Sequence, residues 1–439
     1  MNNIENLSSI HSNKFNNIQI FLSAISHFIT DIYQNFIIGL IPLITLKFGL
    51  SLFKVALLTS TSVIANSLFS PIFGYFSDKK GLKYFLITGP LVTSVFLSLI
   101  GVIPNYYILL IFLFFGNLGV AAYHPASAAI AGHFGGKNKG MGSSIINFGG
   151  NFGSACGVLL IISIAQKINI NFTPFAMIPG IIIVAILLKY APTINNKTNF
   201  KSNSNNSINI KNTYSDTYNN TYNNNYFNNN SNKIIKNEEN LFVKLKNIKK
   251  QKIPLLCLIM LSIYSLYIIW TTMSTYMPLY FTNKGFSQII TGFILFLFII
   301  FGASGGIVSG FIFDRFKKGN YIIQICLLLS IPLFYFAFRT QKIILTIVLF
   351  ILGGFFIISI QPVCIRITQD LLPKNMSFAS SLILGLSPGF AGITMIFLGK
   401  AADKIGIIRL INFELAFAFI VFLILFFYPY FEKKWEKLT

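Results

Sequence analysis

Twelve stretches of this chain are long and apolar enough to cross a lipid bilayer. They run over about residues 18–40, 55–76, 84–103, 106–130, 142–166, 172–190, 253–281, 287–313, 321–338, 342–362, 377–399 and 407–430. A hydrocarbon core about 30 Å thick takes roughly 20 apolar residues per helix. In lipid the backbone finds no water to bond, so a spanning run closes its hydrogen bonds within itself as a helix. The runs are too long, and too uniformly apolar, for barrel strands of about 10 alternating residues. Only 10% of the 439 residues are charged, too few to cover a soluble protein of this size. The expected fold class is an all-α membrane protein of twelve transmembrane helices. The first fifteen residues are polar and no small-residue cleavage site follows the first run, so no cleavable signal peptide is expected.

The middle of the chain breaks the pattern. Thirteen of the thirty residues 201–230 are Asn, and such a segment buries too little apolar surface to offset its ordering entropy. The expected organisation is a six-helix bundle over 1–190, a disordered Asn-rich cytoplasmic linker over 191–250, and a second six-helix bundle over 251–439. A net charge of +22 raises the question of nucleic acid, but the charges follow the loops. Both termini and loops 2–3, 4–5, 8–9 and 10–11 hold thirteen Lys/Arg, the opposite side nine, and residues 189–252 eleven more. By the positive-inside rule both termini face the cytoplasm. The expected partner is the lipid bilayer of the inner (plasma) membrane, not nucleic acid, and the expected state is a monomer. The cysteines Cys156, Cys257, Cys326 and Cys364 have neither metal nor disulfide spacing and read as packing residues.

A motif recurs at the ends of three helices. GYFSDKKGLK follows helix 2, giving Gly74, Asp78 and Lys79; GFIFDR follows helix 8, giving Gly310, Asp314 and Arg315; GKAADK follows helix 11, giving Gly399, Asp403 and Lys404. The three loops hold the same place in successive three-helix units, the repeat from which many transporters are built. The glycine admits a neighbouring helix, and the Asp four residues later can accept hydrogen bonds from that neighbour's N-terminus. Such contacts gate two bundles against each other. The plainer reading is a charged loop that only sets topology.

Charge at the bilayer centre costs about 2.5–3.5 kcal/mol, so it marks function by default. Helix 1 carries ISHFITDIYQN, in which His27, Asp31, Gln34 and Asn35 fall on one face. Asp31 is the acid deepest in an apolar run and the candidate proton carrier; a carboxylate held by a histidine for packing is the alternative. Helix 4 places Asn117 and His124 seven apart, and Pro125 there frees a backbone carbonyl and bends the helix. Helix 5 presents Gly149, Gly153 and Gly157 as a close-packing ridge. Asn147 and Asn151 on another face either bind a polar substrate or join helices. Helix 7 offers Tyr267, Thr271 and Tyr276, an aromatic hydroxyl face for an amphipathic substrate or an interfacial belt. Arg366 on helix 10 meets an anionic substrate group or pairs with Asp370 one turn on. Glu414 reads as interfacial. There is no phosphate-binding loop, so ATP does not drive the protein directly. Neither a metal cluster nor a nucleophilic constellation is visible, and neither enzyme chemistry nor a cofactor is expected.

At these residues the chain resembles the major facilitator superfamily, and within it the fosmidomycin resistance protein branch. SHFITDIYQN, YHPASA, FGGNFGSACG and TQDLLP match in kind and order, over nearly all the chain outside 191–250. The family's Ser-His…Asp and His-Pro positions fall on Ser26, His27, Asp31, His124 and Pro125. The chain departs from the pattern at Ala126, where the family commonly has an acid, and at Asn147, where it usually has Gln. The resemblance implies proton-coupled export of small polar or amphipathic molecules, including drugs. From their place in apolar runs, His27, Asp31 and His124 are the candidates for proton coupling, a satisfied interhelical histidine being the equal alternative for His124. A proton-coupled importer and a membrane receptor or scaffold displaying the linker are the rival readings.

Overall fold

A computed structural model describes residues 16–136, 139–192, 252–372, 379–380 and 382–436. Among them the chain is helical throughout, with no strand. The first half holds α1 (Asn17–Gln34), α2 (Phe36–Phe48), α3 (Leu52–Lys80), α4 (Leu82–Ser98), α5 (Tyr106–Phe134), α6 (Lys139–Ser163) and α7 (Met177–Tyr190). The second holds α8 (Ile253–Asn283), α9 (Gln288–Phe316), α10 (Gly319–Ala337), α11 (Ile343–Ile358), α12 (Ile360–Leu371), α13 (Ser387–Ile405), α14 (Ile407–Ile424) and α15 (Tyr428–Glu436). The linker expected over 191–250 lies, apart from 191 and 192, outside the described residues.

Eleven of the described helical stretches are long and apolar enough to span a membrane. One of them, Met141–Tyr190, is 50 residues long, roughly 75 Å of helix and more than twice a bilayer core. Its neighbours show that it doubles back. Along α6, Gly149, Gly153 and Gly157 lie against Ala24, Phe28 and Ile32 of α1 in rising order, so the two helices run parallel. Along α7 the order reverses. Tyr33 donates to the Ala176 carbonyl at 2.8 Å, while Gln19 donates to the Tyr190 carbonyl at 3.1 Å. A π-helical turn over Ile164–Asn169 and a 3-10 turn over Ile170–Ala176 make the reversal. Ten single spans and one double one give the twelve crossings expected from the apolar runs.

Two spans are broken. α1 stops at Asn35, whose backbone is not helical, and α2 resumes at Phe36; α11 and α12 break at Ser359. α5 runs without a break from Tyr106 to Phe134, with Pro125 inside it. Side chains that a soluble protein would bury, such as Phe397, Phe413 and Ile344, are exposed. An apolar belt of this kind is the surface that a bilayer solvates.

We call the end of the bundle where α1 begins the near face and the end carrying Leu52 the far face. The described hydrogen bonds between the two halves cluster at the far face. Asp403 at the end of α13 accepts from the Leu52 and Phe53 amides at the start of α3, at 2.7 and 3.2 Å. Thr59 and Thr275 hydroxyls meet at 2.8 Å, Tyr276 donates to the Leu52 carbonyl at 3.1 Å, and Gln166 donates to Gln288. α13 lies along α3 from Gly399, against Phe53 and Ala56, to Gly389, against Ser67 and Leu68. The far face is therefore the closed one.

Candidate functional site

The side chains that sequence placed on separate helices converge in the first half. Asp31 lies fourteen residues into the Asn17–Phe48 span, roughly 21 Å along it and near mid-membrane. His27 Nε2 is 3.4 Å from Asp31 Oδ2, and His124 Nε2, from α5, is 3.6 Å from Asp31 Oδ1. The two rings touch through His27 Nε2 and His124 Nδ1 at 3.1 Å. Gly150 on α6 closes the floor: a Cβ there would come within 2.6 Å of His27 Nε2 and 2.8 Å of Asp31 Oδ2. Ser154, one turn further along α6, lies beside the carboxyl. The local cause is the glycine ridge. Cβ atoms at 149, 153 and 157 would sit 2.4, 2.1 and 2.1 Å from α1 carbonyl oxygens, so only glycine lets α6 approach closely enough to set Gly150 on the triad.

The hydrogen positions follow from the partners. His27 Nδ1 meets the Ile146 carbonyl at 3.0 Å. A carbonyl only accepts, so Nδ1 carries the hydrogen and neutral His27 turns its Nε2 lone pair inward. That lone pair accepts from His124 Nδ1, which leaves the His124 Nε2 lone pair facing Asp31 Oδ1. Asp31 Oδ1 is buried and has no hydrogen-bond partner. With both rings neutral and the carboxylate ionised, lone pair faces lone pair across 3.6 Å. One positive centre placed there satisfies both. A proton does so. The donor atoms of His27, Asp31 and His124 also lie within 4.8 Å of one another, a spacing that can hold a metal ion with a fourth position open. Sequence spacing showed no metal cluster because His124 is 97 residues from His27.

The remaining expected site residues divide. Gln34 and Asn35 are half-buried beside the break in α1. Asn147 and Asn151 are exposed on the stripe of α6 next to Gly150 and Ser154. Asn117 is not brought to the triad's open side. It is 1% exposed and donates to the Leu113 carbonyl of its own helix at 2.8 Å. A seven-residue offset puts it on the His124 stripe but two turns away, where neighbouring helices cover it. In the second half Tyr267 is half-buried and accepts from Gln361 at 3.0 Å. Thr271 is buried with its hydroxyl turned back to the Tyr267 carbonyl. Tyr276 is fully buried in the seam between the halves in this conformation. Arg366 is exposed and pairs with Asp370 at 3.4 Å, toward the near end of α12. Glu414, read from sequence as interfacial, is 4% exposed.

The three motif copies differ. The side chains of Asp78 and Lys79 lie outside the described ones, while Gly74 faces Pro125 of α5. Gly310 has open space where a Cβ would go, and exposed Asp314 pairs with Lys317 at 3.3 Å, beside exposed Arg315. The third copy is the engaged one, through Gly399 and Asp403. Sequence showed the pattern at Asp403 but not which neighbour's N-terminus it would meet.

Twelve spanning helices in two halves, joined by an antiparallel α3–α13 seam and holding a buried ionisable cluster at mid-membrane, define a membrane transporter rather than an enzyme. The family model of the Major Facilitator Superfamily matches residues 23–383, and the chain belongs to that superfamily. It is 25% identical over 388 residues to the fosmidomycin resistance protein of Escherichia coli (strain K12), covering 88% of this chain and 86% of that one. It is 23% identical over 395 residues to the MFS-type transporter YfnC of Bacillus subtilis (strain 168), with 88% and 87% covered. Among solved structures it resembles a bacterial homologue of the human lysosomal transporter Spinster in an inward-facing, unoccupied conformation. There the TM-score is 0.69 and identity 13%, over 95% of this chain and 97% of that one. A D-xylose–proton symporter superimposes with a TM-score of 0.66 at 14% identity, over 93% and 96%.

Proposed function

We propose that this protein is a proton-coupled secondary transporter that exports small polar or amphipathic molecules by alternating access. It acts as a monomer in the cell's inner (plasma) membrane with both termini in the cytoplasm, so that the near face is cytoplasmic. The observation that carries the proton is the unsatisfied oxygen of Asp31 facing the lone pair of His124. The pocket is complete only when one proton is shared there, and its ionised form is left with an uncompensated buried charge. Asp31 binds and releases that proton, His27 and His124 orient and share it, and Gln34, Asn35, Asn147 and Asn151 hold the substrate beside it. Tyr267, Thr271, Tyr276 and Arg366 serve the second half of the cycle, in which the far-face seam opens and the buried α8 hydroxyls reach the cavity. Gly74, Asp78 and Lys79, with Gly310, Asp314 and Arg315, gate the near face. Asp403 holds the far face closed in the conformation seen.

Export is favoured over import by the relative whose name states fosmidomycin resistance, which makes fosmidomycin the first compound to try. The test expresses the protein in a fosmidomycin-sensitive strain and follows the compound's flux in right-side-out and inverted vesicles under a pH gradient. Gradient-driven accumulation in inverted vesicles supports the reading. Flux only in right-side-out vesicles points to an importer, and flux that chelation abolishes replaces the proton with a metal ion.

A further inference from the structure

A second buried carboxyl lies outside the triad and on the other half of the molecule. Glu414 sits seven residues into α14, roughly 10 Å from its start. Its Oε1 accepts from the Thr272 hydroxyl of α8 at 2.6 Å. Its Oε2 is buried with no partner. The Thr272 hydroxyl also touches Met395 Sδ of α13 at 3.5 Å, so the pocket is made by α8, α13 and α14. No described ion pair reaches Glu414. Of the charged and titratable groups on the helices packed against it, Tyr276 lies near enough to feel the Glu414 charge, and those named next have partners of their own. On α8, Tyr264 bonds Thr394 and Tyr276 bonds the Leu52 carbonyl. On α13, Asp403 caps α3 and Lys400 lies over the Phe53 ring. Beyond α10, Arg339 bonds Asn412 and stacks on Tyr335. A carboxylate with one neutral donor in such a pocket is far costlier than the neutral acid.

The pocket backs directly onto the closed seam. Thr272 lies one turn before Thr275 and Tyr276, which make two of the bonds that shut the far face. A movement of α8 that parts those bonds shifts Thr272 and admits far-face water to Glu414. We propose that Glu414 is a second proton-binding site, protonated while the far-face seam is closed and exchanging its proton with far-face water when the seam opens. On opening, the Glu414 O–H bond breaks, the proton passes to water as hydronium, and a carboxylate remains. Closing requires the carboxylate to take a proton back. The inference rests on the alternating-access reading but not on Asp31, because the two carboxyls lie in different halves.

The test is infrared spectroscopy of the purified protein in lipid at neutral pH, reading the carbonyl-stretch band of protonated carboxylic acid. We expect a component of that band to vanish in Glu414→Gln and to persist in Asp31→Asn. If Glu414→Gln does not fold, Thr272→Val takes its place. That change leaves the acid but removes the hydrogen bond to its carbonyl, and the component should move to higher frequency. A second arm places spin labels on the far ends of α3 and α13. Raising the pH should lengthen their separation in Asp31→Asn, and not in the double variant Asp31→Asn with Glu414→Gln. A band untouched by Glu414→Gln or Thr272→Val, or a pH response of Asp31→Asn that survives the addition of Glu414→Gln, overturns the proposal. Neither readout depends on transport, so either failure leaves the Asp31 reading standing.

Discussion

Asp31 and His27 were legible in the sequence because an i,i+4 pair on an apolar helix shares one face whatever surrounds it. His124 was legible as a candidate on its own helix, but its ring meets Asp31 through tertiary packing that spacing does not encode. Gly150 and Asn117 show the limit from both sides. Gly150 went unread among several glycines, yet it is the position where a methyl group would strike both His27 and Asp31. Gly150→Ala should leave the protein abundant in the membrane and lower proton-driven flux at least about tenfold, the loss expected when reacting groups shift by a fraction of an ångström; unchanged flux at normal abundance would count against the site. Asn117, which the sequence places on the His124 face of its helix, donates to the Leu113 carbonyl of that helix. Asn117→Ala should lower the melting temperature, by about 1 kcal/mol of stability for one lost buried hydrogen bond, and leave KM unchanged. A large rise in KM would return Asn117 to the substrate.

Between elements, glycine spacing on α6 was readable but its partner was not. The sequence offers a ridge at 149, 153 and 157, and the structure lays it on the α1 backbone. Gly157→Ala would press a methyl to 2.1 Å from the Ile32 carbonyl and should cost about 1–3 kcal/mol by overpacking, read as a lower melting temperature in detergent. The α3–α13 seam is a capping contact made between halves. Asp403 supplies both a hydrogen-bond acceptor and a negative charge to an α3 N-terminus that carries positive partial charge. Asp403→Asn retains the shape and loses the charge. It should weaken closure by about 1 kcal/mol, roughly fivefold in the ratio of closed to open far face. The check is the reactivity of a cysteine introduced at Ala56, which should rise with Asp403→Asn; unchanged reactivity would remove Asp403 from the gate. Glu414 reads as interfacial because its distance from the helix start is short in sequence, while α8 and α13 meet beside it in space.

At the scale of the whole molecule, the twelve crossings were legible because lipid leaves the backbone no alternative to helix, so length and apolarity alone specify the spans. The conformation was not legible, since closure at the far face depends on a few bonds between halves that belong to one state of the cycle. The proposed proton coupling joins the two scales: in that reading the triad takes up a proton in one state and gives it up in the other, and the seam decides which water it meets. The direct measurement is flux of the transported compound in proteoliposomes bearing an imposed pH gradient, comparing the unmodified protein with Asp31→Asn. Asparagine keeps the shape of Asp31 and cannot ionise. The variant should lose accumulation against a concentration gradient while retaining exchange of compound across the membrane in the absence of a pH gradient. Uphill, pH-dependent accumulation by Asp31→Asn equal to that of the unmodified protein would contradict the account.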